Sequence, residues 1–428
     1  KEVKNKEIIT DKDKPVNLLI EGDNYHALSV LNYTHAKKVD VIYIDPPYNT
    51  GQKDFKYNDQ WVDIEDTYRH SKWLAFMEKR LVLAKNLLKN NGVIFIQIDD
   101  NEIAQLKLLC DEIFGPNNFR NMLVWAYRTG GSPSKKDVFG RKHDYILFYS
   151  RSDNYFFNVL KEKIYYQKDF FGAKKDEKGN FYAEVNLRDV VEGEIELFKG
   201  GKFYKKINVK PVLNLSSERV MDFPSQKPIG LIKFLLEVTT NKDSIICDFF
   251  AGTGSTGEAV LDLNRDDNGN RKFILCTNNE NNIATDICYP RIKKAIFGFK
   301  NRPALGGNLK YFKTDFVDYD EPTDKNKIKL TRQATEMLCV REGTFERVED
   351  NEKFKIFKNS DHYTGIIWDQ TAIPAFKKAI KDIEGKFSVY VFSLGDEAFD
   401  DEFKDVKQKV QLSPIPEAIL RVYRRIFR

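Results

Sequence analysis

Between Leu18 and Gly115 the chain alternates short apolar runs with amphipathic stretches, the order expected of a doubly wound, Rossmann-like α/β sheet. Val41-Ile42-Tyr43-Ile44 and Val93-Ile94-Phe95-Ile96-Gln97-Ile98 are continuous, rich in β-branched and aromatic residues, and short, so both read as strands covered on two faces. From about Ser71 to Asn90, the residues Trp73, Met77, Leu81, Ala84 and Leu88 recur at spacings of three and four. That spacing predicts a helix, with Asn90-Asn91-Gly92 as its stop. The acids of Asp99-Asp100-Asn101-Glu102 are expected to cap the next helix. The alternation resumes near Pro224 and runs to Phe297, with further strands at Ile245-Ile246-Cys247-Asp248-Phe249 and Phe273-Ile274-Leu275-Cys276.

Three stretches depart from that rhythm. Between Tyr127 and Lys142 the chain is rich in Gly, Ser, Lys and Arg and reads as a mobile basic loop. After the strand Tyr145 to Tyr149, the segment from about Ser150 to Lys206 interleaves Tyr155, Phe156, Tyr165, Tyr166, Phe170, Phe171, Phe181, Phe203 and Tyr204 with Lys161, Lys163, Lys174, Lys175, Lys178, Lys202, Lys205 and Lys206. Aromatics among lysines suit base stacking and phosphate contacts, and a small β-rich unit with an aromatic core and a solvated lysine face accounts for the same residues. From about Thr314 onward a charged stretch and the strand-like Phe387-Ser388-Val389-Tyr390-Val391-Phe392 mark an α+β accessory domain for contacts with a partner, DNA or a second copy. The expected division is residues 1–149 and 216–314 for two parts of one α/β domain, 150–215 for an insert, and 315–428 for the accessory domain.

At 428 residues the chain exceeds one ordinary domain, which fits that division. Its 69 basic and 64 acidic side chains leave a net charge of only +5, so any polyanion-binding surface must be local. The five cysteines form no Cys-x-x-Cys pair, and three of them sit in apolar contexts, as buried free thiols of a reducing cytoplasm would, with no metal site expected. No apolar run reaches the ~18 residues of a membrane-spanning helix, and no membrane partner is expected. The histidines are scattered and need no catalytic role; His143, leading into a strand, reads as structural.

The chemistry concentrates at two strand ends. Asp45-Pro46-Pro47-Tyr48 ends the first apolar run, and its two prolines remove backbone donors and fix φ, giving a rigid exposed turn. There the Asp45 carboxylate and the Pro46 carbonyl can both accept from one exocyclic amino group, while Tyr48 offers a ring for stacking. A planar base with an NH2 fits, although the tetrapeptide taken alone is also a plain strand-ending turn. The second strand end is Phe250-Ala251-Gly252-Thr253-Gly254-Ser255-Thr256-Gly257, with the Gly-x-Gly-x-x-Gly spacing that lets backbone amides approach a dinucleotide or S-adenosylmethionine. No Gly-Lys-Ser/Thr follows, so this is not an ATP-hydrolysing phosphate loop. Glu280, at the end of the next strand, stands where such folds meet a ribose. A nicotinamide cofactor leaves the Asp-Pro-Pro-Tyr turn unexplained, whereas a methyl donor accounts for both motifs.

Taken together, these residues resemble the amino-group DNA methyltransferases, in the motif order of the β class. Within that class the chain is similar to the modification subunits of type III restriction-modification systems. Supporting stretches include Leu19-Ile20-Glu21-Gly22-Asp23-Asn24, Asp45-Pro46-Pro47-Tyr48-Asn49-Thr50-Gly51, Lys142-His143-Asp144-Tyr145 and Gln226-Lys227-Pro228, over roughly residues 16 to 300 apart from the insert. The resemblance implies that Asp45 and the Pro46 carbonyl bind adenine N6, that Pro47 shapes the turn, and that Tyr48 stacks on a base flipped from duplex DNA. Asp rather than Ser at position 45 favours adenine N6 over cytosine N4 in that family. It further implies that Asp248, Phe249, Ala251, Gly252, Thr253 and Gly254 line the methionine and adenosine of S-adenosylmethionine. Glu280 would meet its ribose, Asp23 with Asn24 its adenine edge, and Lys227 its methionine carboxylate. Asp23 serves equally as an N-cap to the helix that follows. A homodimer and a restriction subunit carrying helicase and nuclease functions are the implied partners. A solitary methyltransferase, an RNA adenine methyltransferase and an idle DNA-binding subunit stay open as alternatives.

Overall fold

The computed structural model describes all residues except 52–55, 58–59, 128–138, 213–225, 300–301, 317–323, 393–398, 416–418 and 420–428. Most of the basic loop expected between Tyr127 and Lys142 lies outside the described residues. The core of the chain is a nine-stranded sheet built, in chain order, from β1 (Val16–Glu21), β2 (Val39–Ile44), β3 (Leu88–Ile98), β4 (Phe119–Ala126), β5 (His143–Ser150), β6 (Val190–Glu192), β7 (Ile245–Asp248), β8 (Lys272–Thr277) and β9 (Asn308–Lys313). Their spatial order is β6-β4-β5-β3-β2-β7-β8-β1-β9. Neighbouring pairs are parallel except β3–β5 and β4–β5, where β5 runs against both.

All six residues of β2 are buried, and alternate ones serve two cores. Val41 and Tyr43 pack with Leu231, Leu261 and Ile292, from α4 (Ile229–Thr239), α5 (Ser255–Asp267) and α6 (Tyr289–Phe297). Ile42 and Ile44 pack with Leu28, Trp73 and Leu106, from α1 (Asn24–Thr34), α2 (Arg69–Leu87) and α3 (Ile103–Phe114). Helices thus cover both faces, as the two-sided apolar runs required.

Strand β2 leads outward to β3 on one side, whereas β7 leads to β8 on the other, so the order of the sheet reverses between β2 and β7. That reversal leaves a crevice beyond the carboxyl ends of the two strands, the usual ligand position in open α/β sheets. Ile246 pairs with Val41 and Cys247 with Ile42, which sets Asp248 level with Tyr43 and close to Asp45.

Two local expectations are corrected. The helix expected to stop at Asn90-Asn91-Gly92 ends at Leu87, and the chain turns directly into β3 at Leu88, whose ψ is 134°. Gly92 sits inside that strand beside a register shift in its pairing with β2. A Cβ there would lie 3.0 Å from the Val39 carbonyl oxygen and 3.1 Å from that of Asp40, so the glycine permits a close approach of two backbones. The Asp99-Asp100-Asn101-Glu102 acids do not cap α3: Glu102 occupies the N-cap position without a capping bond. Asp99 accepts from the Asn101 amide at 2.9 Å and pairs with Arg141 at 2.5 Å.

The segment after β5 holds a five-stranded antiparallel sheet, ordered 202–208, 194–199, 161–166, 181–186, 174–175. Val190–Glu192, from the same segment, extends the central sheet instead by pairing with β4. The small sheet is tied to α4 by Lys205, whose ammonium lies 2.8 Å from Glu237, and by the Tyr204 hydroxyl on the same carboxylate. Beyond β9, α7 (Asp324–Glu342) and α8 (Ile373–Ala379) accompany a second five-stranded sheet over residues 346–412, an α+β unit with its own apolar core around Phe376 and Phe387. No helix among the described residues is long and apolar enough to cross a membrane. Gly92→Ala is expected to lower stability by about 1–3 kcal/mol in urea unfolding, the usual cost of overpacking against fixed neighbours. An unchanged midpoint would show that the backbones have room to part.

Candidate active site

Strand β2 carries Asp45 to the crevice, and the turn that follows is held from behind. The Trp73 indole, fully buried on α2, donates to the Pro47 carbonyl at 2.8 Å. The Tyr48 hydroxyl donates to Asp144 Oδ2 at 3.1 Å, where Gln97 Nε2 also donates at 3.1 Å. Tyr127 donates to Asp144 Oδ1 at 3.3 Å, and Tyr43 donates to Gln97 Oε1 at 2.7 Å. Asp144 at the start of β5 thus gathers donors from the turn, from β3 and from the end of β4. Burial lifts the Tyr48 and Tyr43 hydroxyls well above the usual phenol range, so both act as neutral donors.

The Asp45 carboxylate is split in its surroundings. Its Oδ2 accepts from Lys227 Nζ at 2.7 Å, while its Oδ1 is buried and has no hydrogen-bond partner. A buried acceptor left in that state is costly unless a ligand supplies the donor. Burial raises the Asp45 pKa above the ordinary carboxylate range, against the opposing pull of the Lys227 charge. A base amino group, which is a donor only, suits the open oxygen.

On β7, Asp248 turns its carboxylate into the glycine loop. Oδ1 accepts from the Phe250 amide at 2.9 Å and Oδ2 from the Thr256 hydroxyl at 2.5 Å, and burial pushes its pKa up to about 7. Gly252 and Gly254 adopt φ of +49° and +83°, a region costly for other residues, and a Cβ on Gly254 would stand 3.0 Å from Cys288 Sγ. Ala251 and Phe249 are buried beneath the loop. Thr253 accepts from Arg291 Nη1 at 3.0 Å, and Arg291 is itself paired with Glu258 at 2.6 Å.

Asn24 connects the loop to the first half of the domain. Its Nδ2 donates to the Phe249 carbonyl at 2.8 Å, and its Oδ1 accepts from Arg80 Nε at 2.5 Å. Arg80 also lies 3.1 Å from Asp23, whose Oδ1 caps α1 by accepting from the Tyr25 amide at 2.7 Å. Asp23 keeps half of its side chain exposed. Glu280 is exposed just past β8, in a short turn whose next two residues, Asn281 and Asn282, have positive φ. Because β7, β8 and β1 lie side by side, Asp23 and Glu280 follow the two strands next in order to the one that enters the glycine loop, with acceptors for the hydroxyls and amino group of an adenosine. These features fit an S-adenosylmethionine site.

Lys227 stands on Asp45, with its ammonium 5.0 Å from the centre of the Tyr48 ring. Residue pattern had assigned no role to Trp73, Arg80, Gln97 or Asp144. A polar residue inside the apolar run Val93 to Ile98, as Gln97 is, was the available signal; Asp144 follows His143 at the polar start of its strand and gave none. Glu102 was read as a cap; instead its buried Oε1 accepts from Asn49 Nδ2 at 2.5 Å and meets His70 Nδ1 at 2.6 Å, bracing the residue after Tyr48.

A doubly wound sheet with an Asp-Pro-Pro-Tyr turn on one strand beside a glycine loop on the next is the arrangement of a group-transferring α/β enzyme. A family model described as DNA methylase matches residues 39–287, and the chain belongs to that family. It is 31% identical over 342 residues to the Mod subunit of the type III restriction-modification enzyme StyLTI of Salmonella typhimurium, covering 61% of this chain and 52% of that protein. It is 30% identical to the EcoPI Mod subunit of Escherichia phage P1, covering 66% of this chain and 60% of the relative. To the type II methyltransferase M.KpnI of Klebsiella pneumoniae it is 30% identical, covering 70% of this chain and 88% of the relative. The chain therefore spans between half and two thirds of the length of these two Mod subunits.

Asparagine at position 144 would keep one carbonyl oxygen for the donors that now share two. Asp144→Asn is expected to lose about 1–3 kcal/mol in urea unfolding, the cost of stranding a buried polar group. It should also slow turnover through a less ordered Tyr48. Wild-type stability and rate would remove Asp144 from the site.

Proposed function

We propose that this chain transfers a methyl group from S-adenosylmethionine to the exocyclic N6 of an adenine flipped out of duplex DNA, as the modification component of a restriction-modification system. The observation that carries the reading is the unpartnered, buried Oδ1 of Asp45, set beside a glycine loop on the neighbouring strand. The names of the relatives support it: two are Mod subunits and one a type II methyltransferase.

When bound, the cofactor supplies a methyl carbon activated by a positively charged sulfur. The residues of the chain do the rest. The N6 lone pair is delocalised into the adenine ring, so it attacks only if the nitrogen is turned toward a tetrahedral arrangement. Asp45 Oδ1 and the Pro46 carbonyl, accepting one N6 hydrogen each, favour that geometry, and Tyr48 holds the ring by stacking. Taking the methyl group, with the bonding pair left to the sulfur, would make N6 cationic. Asp45 faces that new charge and holds the proton that must leave, stabilising charge where it develops. Asp23 and Glu280 are assigned to the adenosine, and Asp248, Phe249, Ala251, Gly252, Thr253 and Gly254 to the loop that carries the methionine end.

The insert near 150–215 is assigned to site recognition. Tyr165, Tyr166, Phe170, Phe171 and Phe203 stand exposed on it among lysines, a composition suited to nucleic acid. A restriction subunit and a second copy of this chain are the proposed partners. Asp45→Ala is expected to cut transfer of labelled methyl groups to unmethylated bacterial DNA by at least ~100-fold, comparable to removing one transition-state hydrogen bond, while calorimetry finds cofactor affinity little changed. Methyl transfer near the wild-type rate would refute the assignment of Asp45.

A further inference from the structure

We infer that Lys227 is a positioning residue for the reaction: it grips one oxygen of the Asp45 carboxylate so that the other is ionised, unshared and turned to the base. The inference rests on the reading of Asp45 given above. Lys227 belongs to the far side of the crevice, in the Gln226-Lys227-Pro228 segment that leads into α4, and reaches Asp45 across the carboxyl edge of the sheet. Its side chain is 10% exposed and that of Asp45 19%, so water screens the pair weakly.

The chemistry at Asp45 needs such a partner. A carboxyl group that carried its proton on Oδ1 would present a donor to the amino group, donor against donor, and the base would be repelled. The groups around Asp45 favour that wrong state. Burial and Asp144 act against its charge, Asp248 beside it shares that repulsion, and the neutral Tyr48 hydroxyl gives it only a hydrogen bond's support. Lys227 supplies the opposing cation, and because its bond falls on Oδ2, it also fixes which oxygen stays open. Its ammonium lies over the Tyr48 ring as well, so one side chain holds the acceptor and the stacking platform in register. This gives Lys227 a task at the base, distinct from contact with the methionine carboxylate.

The test uses Lys227→Met, Lys227→Arg and Lys227→Met combined with Asp45→Asn in the full chain. Without the cation Asp45 holds its proton to higher pH, so the acidic limb of the methyl-transfer rate should move up by about one pH unit or more in Lys227→Met. Its plateau should fall at least ~10-fold, with Lys227→Arg restoring most of the limb's position. Cofactor affinity by calorimetry should stay within about threefold. An activity-free reading follows from urea unfolding at pH 7.5. Lys227→Met should lower the midpoint, and adding Asp45→Asn should recover it, because no buried charge is then left alone. A Lys227→Met enzyme with an unmoved acidic limb and a large loss of cofactor affinity would overturn the inference, as would a midpoint that the second substitution fails to recover. If the wild-type protein methylates no DNA, the functional reading fails by itself, and the unfolding comparison still decides whether the pair holds Asp45.

Discussion

The carboxylate of Asp45 ends a strand that water does not reach, and the architecture around it can be understood as the means of keeping it there, charged on one side and open on the other. Apolar burial of β2 on both faces places the charge in a medium that resists it. Lys227 answers that cost at Oδ2, and Oδ1 is left for a donor brought from outside. The turn cannot relax to satisfy Oδ1 itself, since two prolines stiffen it and Trp73 and Asp144 hold it from beneath and beside. An acceptor that is rigid, buried and unsatisfied is costly to folding and suited to catalysis, because no rearrangement is needed when a substrate arrives.

The second requirement is nearness, and the topology provides it. The strands that carry Asp45 and Asp248 are far apart in sequence but adjacent in the sheet, at the point where its order reverses. Asn24 and Arg80 fasten the glycine loop to the first half of the domain through the Phe249 carbonyl, so the loop is part of the same framework as the first half. The small antiparallel sheet hangs from α4, the helix that begins just after Lys227.

Much of this was legible in the chain. Continuous apolar runs told of strands buried on both sides, and the proline pair and glycine spacing marked the two turns that matter, because their chemistry is local. What was not legible is long-range. The close approach of β2 and β3 explains Gly92, but spacing alone made it a helix stop. Glu102 read as a cap because acids before a helix usually are; only the fold shows Asn49 and His70 beside it. Lys227 and Asp45 are separated by 182 positions, and no periodicity predicts that their side chains meet.

The most direct measurement of the central claim is the identity of the base that this chain modifies. Purified protein would be incubated with S-adenosylmethionine and unmethylated bacterial genomic DNA, and the DNA digested to nucleosides for mass spectrometry. The open acceptor on Asp45 predicts a methylated exocyclic amino group, and Asp rather than Ser at position 45, with the family resemblance, predicts that it is N6-methyladenine. N4-methylcytosine would contradict the choice of base, and DNA bound but left without any methylated base would contradict the account of the site.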